Sequence, residues 1–479
     1  MRRLSVLSIA FLSFMSLAAQ KTFSLEEAVA YALENNKQLN ATRYDIQKSE
    51  SAYKEARSGW LPQVDASVDF LTYFGYEMEF SFDTDADYSF SNETYSNALA
   101  AATSAATEAV ALGGSGNFDP SQYVGGAAYE SYLQSTLPAT TIDMGNSSTA
   151  QVQLGWMLFN GQILSGMKAA KIGMELASTN VELSELDVRA NVANTYYSIL
   201  TLEQTLATID SSIVEMEDLV NKTEVTVRTG VLEETELDQL KIQLSNLRNT
   251  KLAMERNVRI TYNLLRFHLG LKVNEPIVLT DDLNQIMDAI AQESALTQEF
   301  DLSTNPTYQI MEKQVELSEE MVNMEKMAFA PNLSAFYTYN AKLLTSGFDM
   351  TPNNMAGATL NIPIFSSGMR KSKVDQKKIE LLQAEANREV MKDNLYLQEA
   401  QLRYDYISKL EQYENQKANV EVARRVFESY ERKFESGTAS GMDLTQANSS
   451  YLQAESEYLN AMLSLLQARV SFFKLLNAL

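Results

Sequence analysis

The sequence predicts a mainly α-helical protein with transmembrane β-strands, four per chain, arranged as two structural repeats. Three observations predict this. The chain repeats its own phrasing: Asn36 to Pro62 spans 26 positions and so does Asn305 to Pro331, both pairs related by an offset of 269. Two runs lack any Gly or Pro, from Gly173 to Gly230 and from Gly368 to Gly437. Elsewhere the apolar period falls from 3.6 to 2. A duplicated unit of this length describes an architecture rather than an enzyme active site.

The chain opens with Arg2 and Arg3, an apolar run from Leu4 to Leu17, and the small pair Ala18-Ala19. This is the pattern of a secretory signal peptide over residues 1–19. The run is too short to remain as a spanning helix, and no later segment offers 18 consecutive apolar residues. Any membrane-embedded part must therefore be β.

Helices come next. The long runs are rich in Ala, Leu, Glu, Gln and Lys, all strong helix formers. The run ending at Gly437 would extend roughly 100 Å at 1.5 Å per residue. Its apolar positions recur at spacings of three and four, as in Leu402, Tyr406, Leu410 and Tyr413, then Val420, Ala423, Phe427, Tyr430 and Phe434. That is a narrow coiled-coil seam. Gly230 and Gly437 each break a long helix and precede another, Val231 to Leu269 and Met442 to Leu479, so each marks the tip of an antiparallel hairpin.

Strands flank the helices. After Pro62, the segment Gln63 to Phe70 alternates, with Val64, Ala66, Val68 and Phe70 on one face and Asp65, Ser67 and Asp69 on the other. The spacing predicts strands over 63–73, 150–159, 332–342 and 357–365. Segments of about ten residues with apolar-out, polar-in alternation suit an outer-membrane barrel wall. Four strands cannot close a barrel, and an open edge in lipid leaves backbone groups unsatisfied, so closure requires further copies of the chain.

The first repeat carries about 63 extra residues between its strands, since Pro62 to Phe159 spans 97 positions and Pro331 to Phe365 spans 34. From Arg57 to Lys168 there is no basic residue but twelve Asp or Glu. This reads as a solvated extracellular loop over about 74–148. Asp83, Asp85 and Asp87 have a calcium-loop spacing, but the glycine and closing glutamate of an EF-hand do not follow.

Composition narrows the function. The absence of cysteine excludes disulfides, thiolate metal sites and a lipoprotein anchor. A net charge of −23 argues against nucleic-acid binding. The single histidine, His268, sits near a helix end with a packing or capping role. No nucleophile–base pair, metal cluster or phosphate loop is present, so neither an enzyme nor a cofactor is expected.

Read together, Phe23-Ser24-Leu25-Glu26-Glu27-Ala28, the Asn36 and Asn305-Pro306 phrases, Leu61-Pro62, Ala330-Pro331 and the Gly230 and Gly437 tips closely resemble the TolC family of outer-membrane efflux proteins. The resemblance covers essentially the whole mature chain. It implies efflux repeats at 20–271 and 304–479, with an equatorial linker region at 272–303. It also implies a homotrimer whose strands form a twelve-stranded barrel in outer-membrane lipid, above a long periplasmic α-helical barrel. Family members dock a periplasmic adaptor (membrane fusion) protein and an inner-membrane pump of the RND or ABC type, and form a passive duct for small molecules.

The resemblance also assigns site residues. The adaptor-docking tips match Gly230, Val231 and Leu232, and Gly437, Thr438 and Ala439. At the closed periplasmic entrance, one aspartate of the family pair matches Asp443 and the second falls on Gln446. Phe434 stands at the position of a locking Tyr and Ala439 at that of an Arg. On the facing hairpin Thr235 is kept and Glu236 replaces an aspartate. The polar lock therefore lacks its hydroxyl and guanidinium. Asp443 either rings the pore or serves the first turn of its helix. Alternative readings are a type I protein secretion duct and a secreted coiled-coil scaffold that never enters a membrane.

Overall fold

The computed structural model of the chain describes residues 21–72, 74, 77–80, 100, 103–104, 140–143, 146–230, 232–273, 275–291, 298–345 and 351–479. The signal segment and most of the acidic insertion, including Asp83, Asp85 and Asp87, lie outside the described residues. In chain order the main elements are β1 (Lys21–Phe23), α1 (Leu25–Asn35), α2 (Lys37–Ser58), β2 (Gln63–Leu71), β3 (Glu77–Phe80), β4 (Thr140–Asp143), β5 (Ser147–Phe159), α3 (Gly161–Arg228) and α4 (Glu234–Leu269). There follow β6 (Ile277–Leu279), α5 (Leu283–Ala291), α6 (Pro306–Met327), β7 (Asn332–Leu344), β8 (Asn354–Asn361), α7 (Met369–Glu435) and α8 (Gly441–Leu475). They sort into two units. One comprises Met1–Ser58, Gly161–Ala330 and Pro363–Leu479, the other Gly59–Asn160 and Pro331–Ile362.

The duplication is metrically close. Helices α2, α3 and α4 have 22, 68 and 36 residues, and α6, α7 and α8 have 22, 67 and 35. The repeated asparagines explain how each copy is tied. Asn36 accepts from Leu39 N at 2.9 Å, capping α2, and donates from Nδ2 to the His268 carbonyl at 2.7 Å. Asn305 accepts from Thr307 N and Tyr308 N at 3.0 and 3.3 Å, capping α6, and donates to the Leu475 carbonyl at 3.0 Å. Both side chains are buried. Each satisfies an orphan donor at one helix start and an orphan carbonyl at another helix end.

At the centre of the helical unit lies a core that includes Tyr196, Leu265, Leu269, Leu465, Leu466 and Phe472, all 0% exposed. Here β1 and β6 pair in parallel, an arrangement not legible in the sequence. Tyr196 locks it, donating from its hydroxyl to the Phe23 carbonyl at 3.0 Å. Ser24 begins α1 with a capping box: its hydroxyl accepts from Glu27 N and Glu27 accepts from Ser24 N.

The two hairpins are zipped by heptad seams. In the first, Ile209, Ile213, Met216 and Val220 of α3 pack with Leu237, Leu240, Leu244 and Leu247 of α4. In the second, stacked rings join α7 to α8: Tyr406 on Phe472, Tyr413 on Tyr458 and Phe427 on Tyr451. Tyr406 and Phe472 are each 33 positions from Ala439, and Phe427 and Tyr451 are each 12, whereas Tyr413 and Tyr458 stand 26 and 19 positions away. No described helix is long and apolar enough to cross a membrane.

The second unit holds an antiparallel sheet of order β2-β5-β7-β8. β2 forms where the alternation predicts a strand, and all of it is exposed, including Val64, Val68 and Phe70 at 62 to 70%. Phe336 pairs with Gly155 on one side and Gly357 on the other, and its ring occupies the space a Gly357 Cβ would need, at 2.8 Å. The fourth strand differs from the expected 357–365. It starts at Asn354 and ends at Asn361, because Pro363 has no N–H to give a ladder. Strands β3 and β4 form a separate two-stranded ribbon within the insertion.

Asn305→Asp keeps the acceptor that caps α6 but removes the donor to Leu475. It should destabilise the protein by about 1–3 kcal/mol, the cost of a buried carbonyl left unpaired, measured by thermal or denaturant unfolding. Gly270 and Gly437 both adopt left-handed φ, +74° and +72°. A Cβ at Gly437 meets open space, whereas one at Gly270 would sit 2.2 Å from the Asn35 carbonyl oxygen. Gly437→Ala should therefore cost about 1–2 kcal/mol from backbone strain alone, and Gly270→Ala clearly more.

Candidate functional site at the hairpin ends

Each long helix stops where a glycine takes a left-handed turn. Gly230 has φ +81°, and its N–H donates to the Val227 carbonyl at 2.9 Å. At the second tip, Gly437 N bonds Phe434 O at 2.9 Å and Thr438 N bonds Lys433 O at 2.8 Å, a Schellman closure. Gly230, Gly437 and Thr438 are exposed, while Leu232 and Ala439 are half-buried. Val231 lies outside the described residues. The tips thus offer small and apolar groups on a tightly bonded backbone.

The residues expected at the entrance divide into three groups. Asp443 belongs to the start of α8, where its carboxylate accepts from Ser440 N at 3.1 Å and from the Ser440 hydroxyl at 2.8 Å. Ser440 Oγ accepts in turn from Asp443 N at 3.2 Å, completing a capping box. Those bonds from Ser440 hold the Asp443 carboxyl below its ordinary value. Of the two roles open to Asp443, its geometry is the one of a helix first turn. The side chain is still solvent-exposed.

Gln446 and Thr235 are also exposed and bond within their own hairpins, Gln446 Nε2 to Ser450 Oγ at 3.4 Å and Thr235 Oγ1 to Glu233 Oε2 at 3.2 Å. Glu236 and Phe434 come together from opposite hairpins around Gly441. A Cβ on Gly441 would stand 3.5 Å from Glu236 Oε2 and 3.7 Å from the Phe434 ring. Beside Gly441 stand the Phe434 ring, Leu240 and Glu236 Oε2, and that carboxylate oxygen is buried with no hydrogen-bond partner among the described residues.

Polar residues inside the seam were missed by sequence reasoning. Along α8, the residues Gly441, Leu444, Asn448, Tyr451, Glu455, Tyr458, Met462 and Leu465 follow one another at alternating spacings of three and four. Asn448 and Glu455 therefore occupy seam positions, and both are buried. That interruption of an apolar heptad is the sequence signal that could have found them. Glu455 Oε2 has no hydrogen bond, and the Arg424 guanidinium is 3.9 Å away. Burial pushes the Glu455 carboxyl up, and Arg424 opposes this only in part. Arg424 also lies over the Tyr451 ring, 5.8 Å from its centroid.

A carboxyl whose pKa is raised on folding contributes stability below its ordinary value of 4.5, and that contribution is lost as pH rises through the raised value. Glu455→Gln should therefore leave the melting temperature near that of the wild type at pH 4 and raise it by a few degrees at pH 8. Equal melting temperatures across that range would show that the seam does not feel this charge.

Comparison with known proteins agrees with this geometry. The sequence profile of the outer membrane efflux protein family matches residues 28–271 and 301–478. No curated protein sequence matches the chain. Among solved structures, the chain is similar to the CmeC outer membrane channel of Campylobacter jejuni, with 16% identity and a TM-score of 0.67 over 95% of this chain and 85% of that one. It is similar to the outer membrane protein VceC of Vibrio cholerae, with 14% identity and a TM-score of 0.65 over 94% and 95% of the two chains. It also resembles the open state of the MtrE outer membrane channel of Neisseria gonorrhoeae, at 16% identity and a TM-score of 0.66 over 94% and 88%. These likenesses concern the fold, whereas the profile covers both repeats with their hairpins, and on it the chain belongs to the outer membrane efflux protein family.

Proposed function

We propose that this chain is the outer-membrane duct of a tripartite export system, passing small molecules across the periplasm and outer membrane without catalysing a reaction. The observation that carries this is the four-stranded sheet, which exposes a row of large apolar side chains and ends at β2 and β8 with no described partner on the outer edges. In water such edges invite aggregation, and in lipid they would leave backbone groups unsatisfied. Three copies joined edge to edge would give twelve strands and remove every edge. The outward row of Val64, Val68 and Phe70 would then face lipid.

In this reading residues 20–271 and 304–479 are the two efflux repeats, and 272–303 belongs to an equatorial region around the helices. Residues 74–148 form the extracellular insertion. The tips at Gly230 to Leu232 and Gly437 to Ala439 receive a periplasmic adaptor, which couples the duct to an inner-membrane pump. Exposed Gly230, Gly437 and Thr438 on a rigid turn, with half-buried Leu232 and Ala439 beside them, suit helix-in-groove docking. Thr235, Glu236, Phe434, Asp443 and Gln446 line the periplasmic entrance, held by apolar contact at Phe434 rather than by a polar lock.

The test is in-cell photo-crosslinking from a probe at Val231, with adducts identified by mass spectrometry. Capture of a periplasmic adaptor supports the reading, and an adaptor of a protein-secretion type would redirect the cargo. Recovery of folded trimer without any adaptor adduct overturns tip docking. Thr438→Asp should reduce export about tenfold or more without lowering the yield of heat-modifiable trimer in the outer-membrane fraction.

A further inference from the structure

The four-stranded sheet carries the duplication in its register. Residues of β2 correspond to residues of β7 269 positions later, as Pro62 does to Pro331. Residues of β5 correspond to residues of β8 206 positions later, as Phe159 does to Phe365. With those offsets Gln63 opposite Gly155 becomes Asn332 opposite Asn361, and Phe70 opposite Ser148 becomes Tyr339 opposite Asn354. Both are pairs that β7 and β8 make. The two hairpins therefore match residue for residue.

Between the repeats, the last strand of the first, β5, runs antiparallel to the first strand of the second, β7. Gln151 stands opposite Asn340 there, and Gly155 opposite Phe336. The same pattern asks the last strand of the second repeat, β8, to pair with β2. Those two lie at opposite edges of one sheet, three strand spacings or about 14 Å apart. β2 is exposed along its whole length and β8 at seven of its eight positions. They cannot meet within one chain, so β2 of a second copy is what completes the pattern.

We propose that β8 of each copy pairs antiparallel with β2 of the next in the register that β5 uses with β7, placing Gly357, Ala358, Thr359, Leu360 and Asn361 opposite Leu71, Phe70, Asp69, Val68 and Ser67 of the neighbour. This rests on the reading of the chain as an edge-joined trimer and adds to it which residues meet. The Asn340 N–H donates to the facing Asn353 carbonyl at 2.7 Å, so alternate residues of β8, counted from Asn353, bond inward to β7. Ala356, Ala358 and Leu360 then turn their backbone groups outward, and by the duplication so do Val68 and Phe70 of β2. Ala358 with Phe70 and Leu360 with Val68 become hydrogen-bonded pairs, the small residue lying beside the large ring on the apolar face. Thr359 with Asp69 and Asn361 with Ser67 share the polar face, where a side-chain donor meets an acceptor in each pair. A slip of one residue would oppose residues of different faces. A slip of two keeps the faces, and the duplicated register selects against it.

The sequence has no cysteine, so an introduced pair is the only source of a disulfide. Facing residues of a non-hydrogen-bonded antiparallel pair, with Cα atoms about 4.5 Å apart, can form one. Asp69→Cys combined with Thr359→Cys, and separately Ser67→Cys combined with Asn361→Cys, are oxidised in the outer-membrane fraction with copper phenanthroline and then boiled without reductant. Both should give covalent dimer and trimer that a reductant returns to monomer. Two-residue slips are tested by Thr359→Cys with Ser67→Cys and by Thr359→Cys with Leu71→Cys, which should crosslink at least tenfold more slowly. Heat-modifiable trimer is scored in every variant before oxidation, so assembly and register are read apart. Trimer in which a slipped pair crosslinks faster than the matched pairs, or in which no pair crosslinks, overturns the register and leaves the export reading standing. A wild type that yields no trimer overturns the edge-joined reading, and the register with it.

Discussion

Asn36 and Asn305 each fasten a repeat by joining residues far apart in the chain, 232 positions for Asn36 to His268 and 170 for Asn305 to Leu475. A long helical hairpin has little to fix where its returning arm must end, because every heptad offers a similar seam. A buried amide with one donor and one acceptor in use removes that freedom. It caps the helix that leads to the strands and claims a carbonyl at the end of the helix that returns from the tip. Slipping the hairpin by one heptad would leave both groups unpaired in a buried place. The equal lengths of the paired helices follow from this constraint acting twice.

From that anchor the first hairpin keeps an apolar seam to its tip, with Met216, Leu237 and Leu240 buried. Near the centre, buried Tyr, Phe and Leu side chains dominate the contacts. Toward the tips the seam admits Glu455, Asn448 and Thr223, and Glu215 and Glu431 line a groove beside it. Polar seam residues give up stability and fix register.

The sheet unit poses the complementary problem. Its strands are regular, its pairing is in register apart from two irregularities between β5 and β7, and Gly357 makes room for the Phe336 ring. Yet its apolar row stays exposed and its outer strands stay open within one chain. In the proposed trimer, neighbouring copies and lipid would resolve both.

Much of this was legible in the sequence because it is local. A run without Gly or Pro keeps every backbone bond within four residues, so α3 and α7 could be read as continuous helices ending at Gly230 and Gly437. Alternation after Pro62 fixed the strand faces for the same reason. The paired asparagines were visible as a repeat. What the sequence could not supply was their partners, since a carbonyl at His268 or Leu475 looks like any other. The β1–β6 pairing and the shortened fourth strand likewise depend on contacts between distant residues. Local periodicity determines which elements form; only tertiary packing decides which polar groups share a space, because that depends on the register of helices joined at ends far apart in the chain.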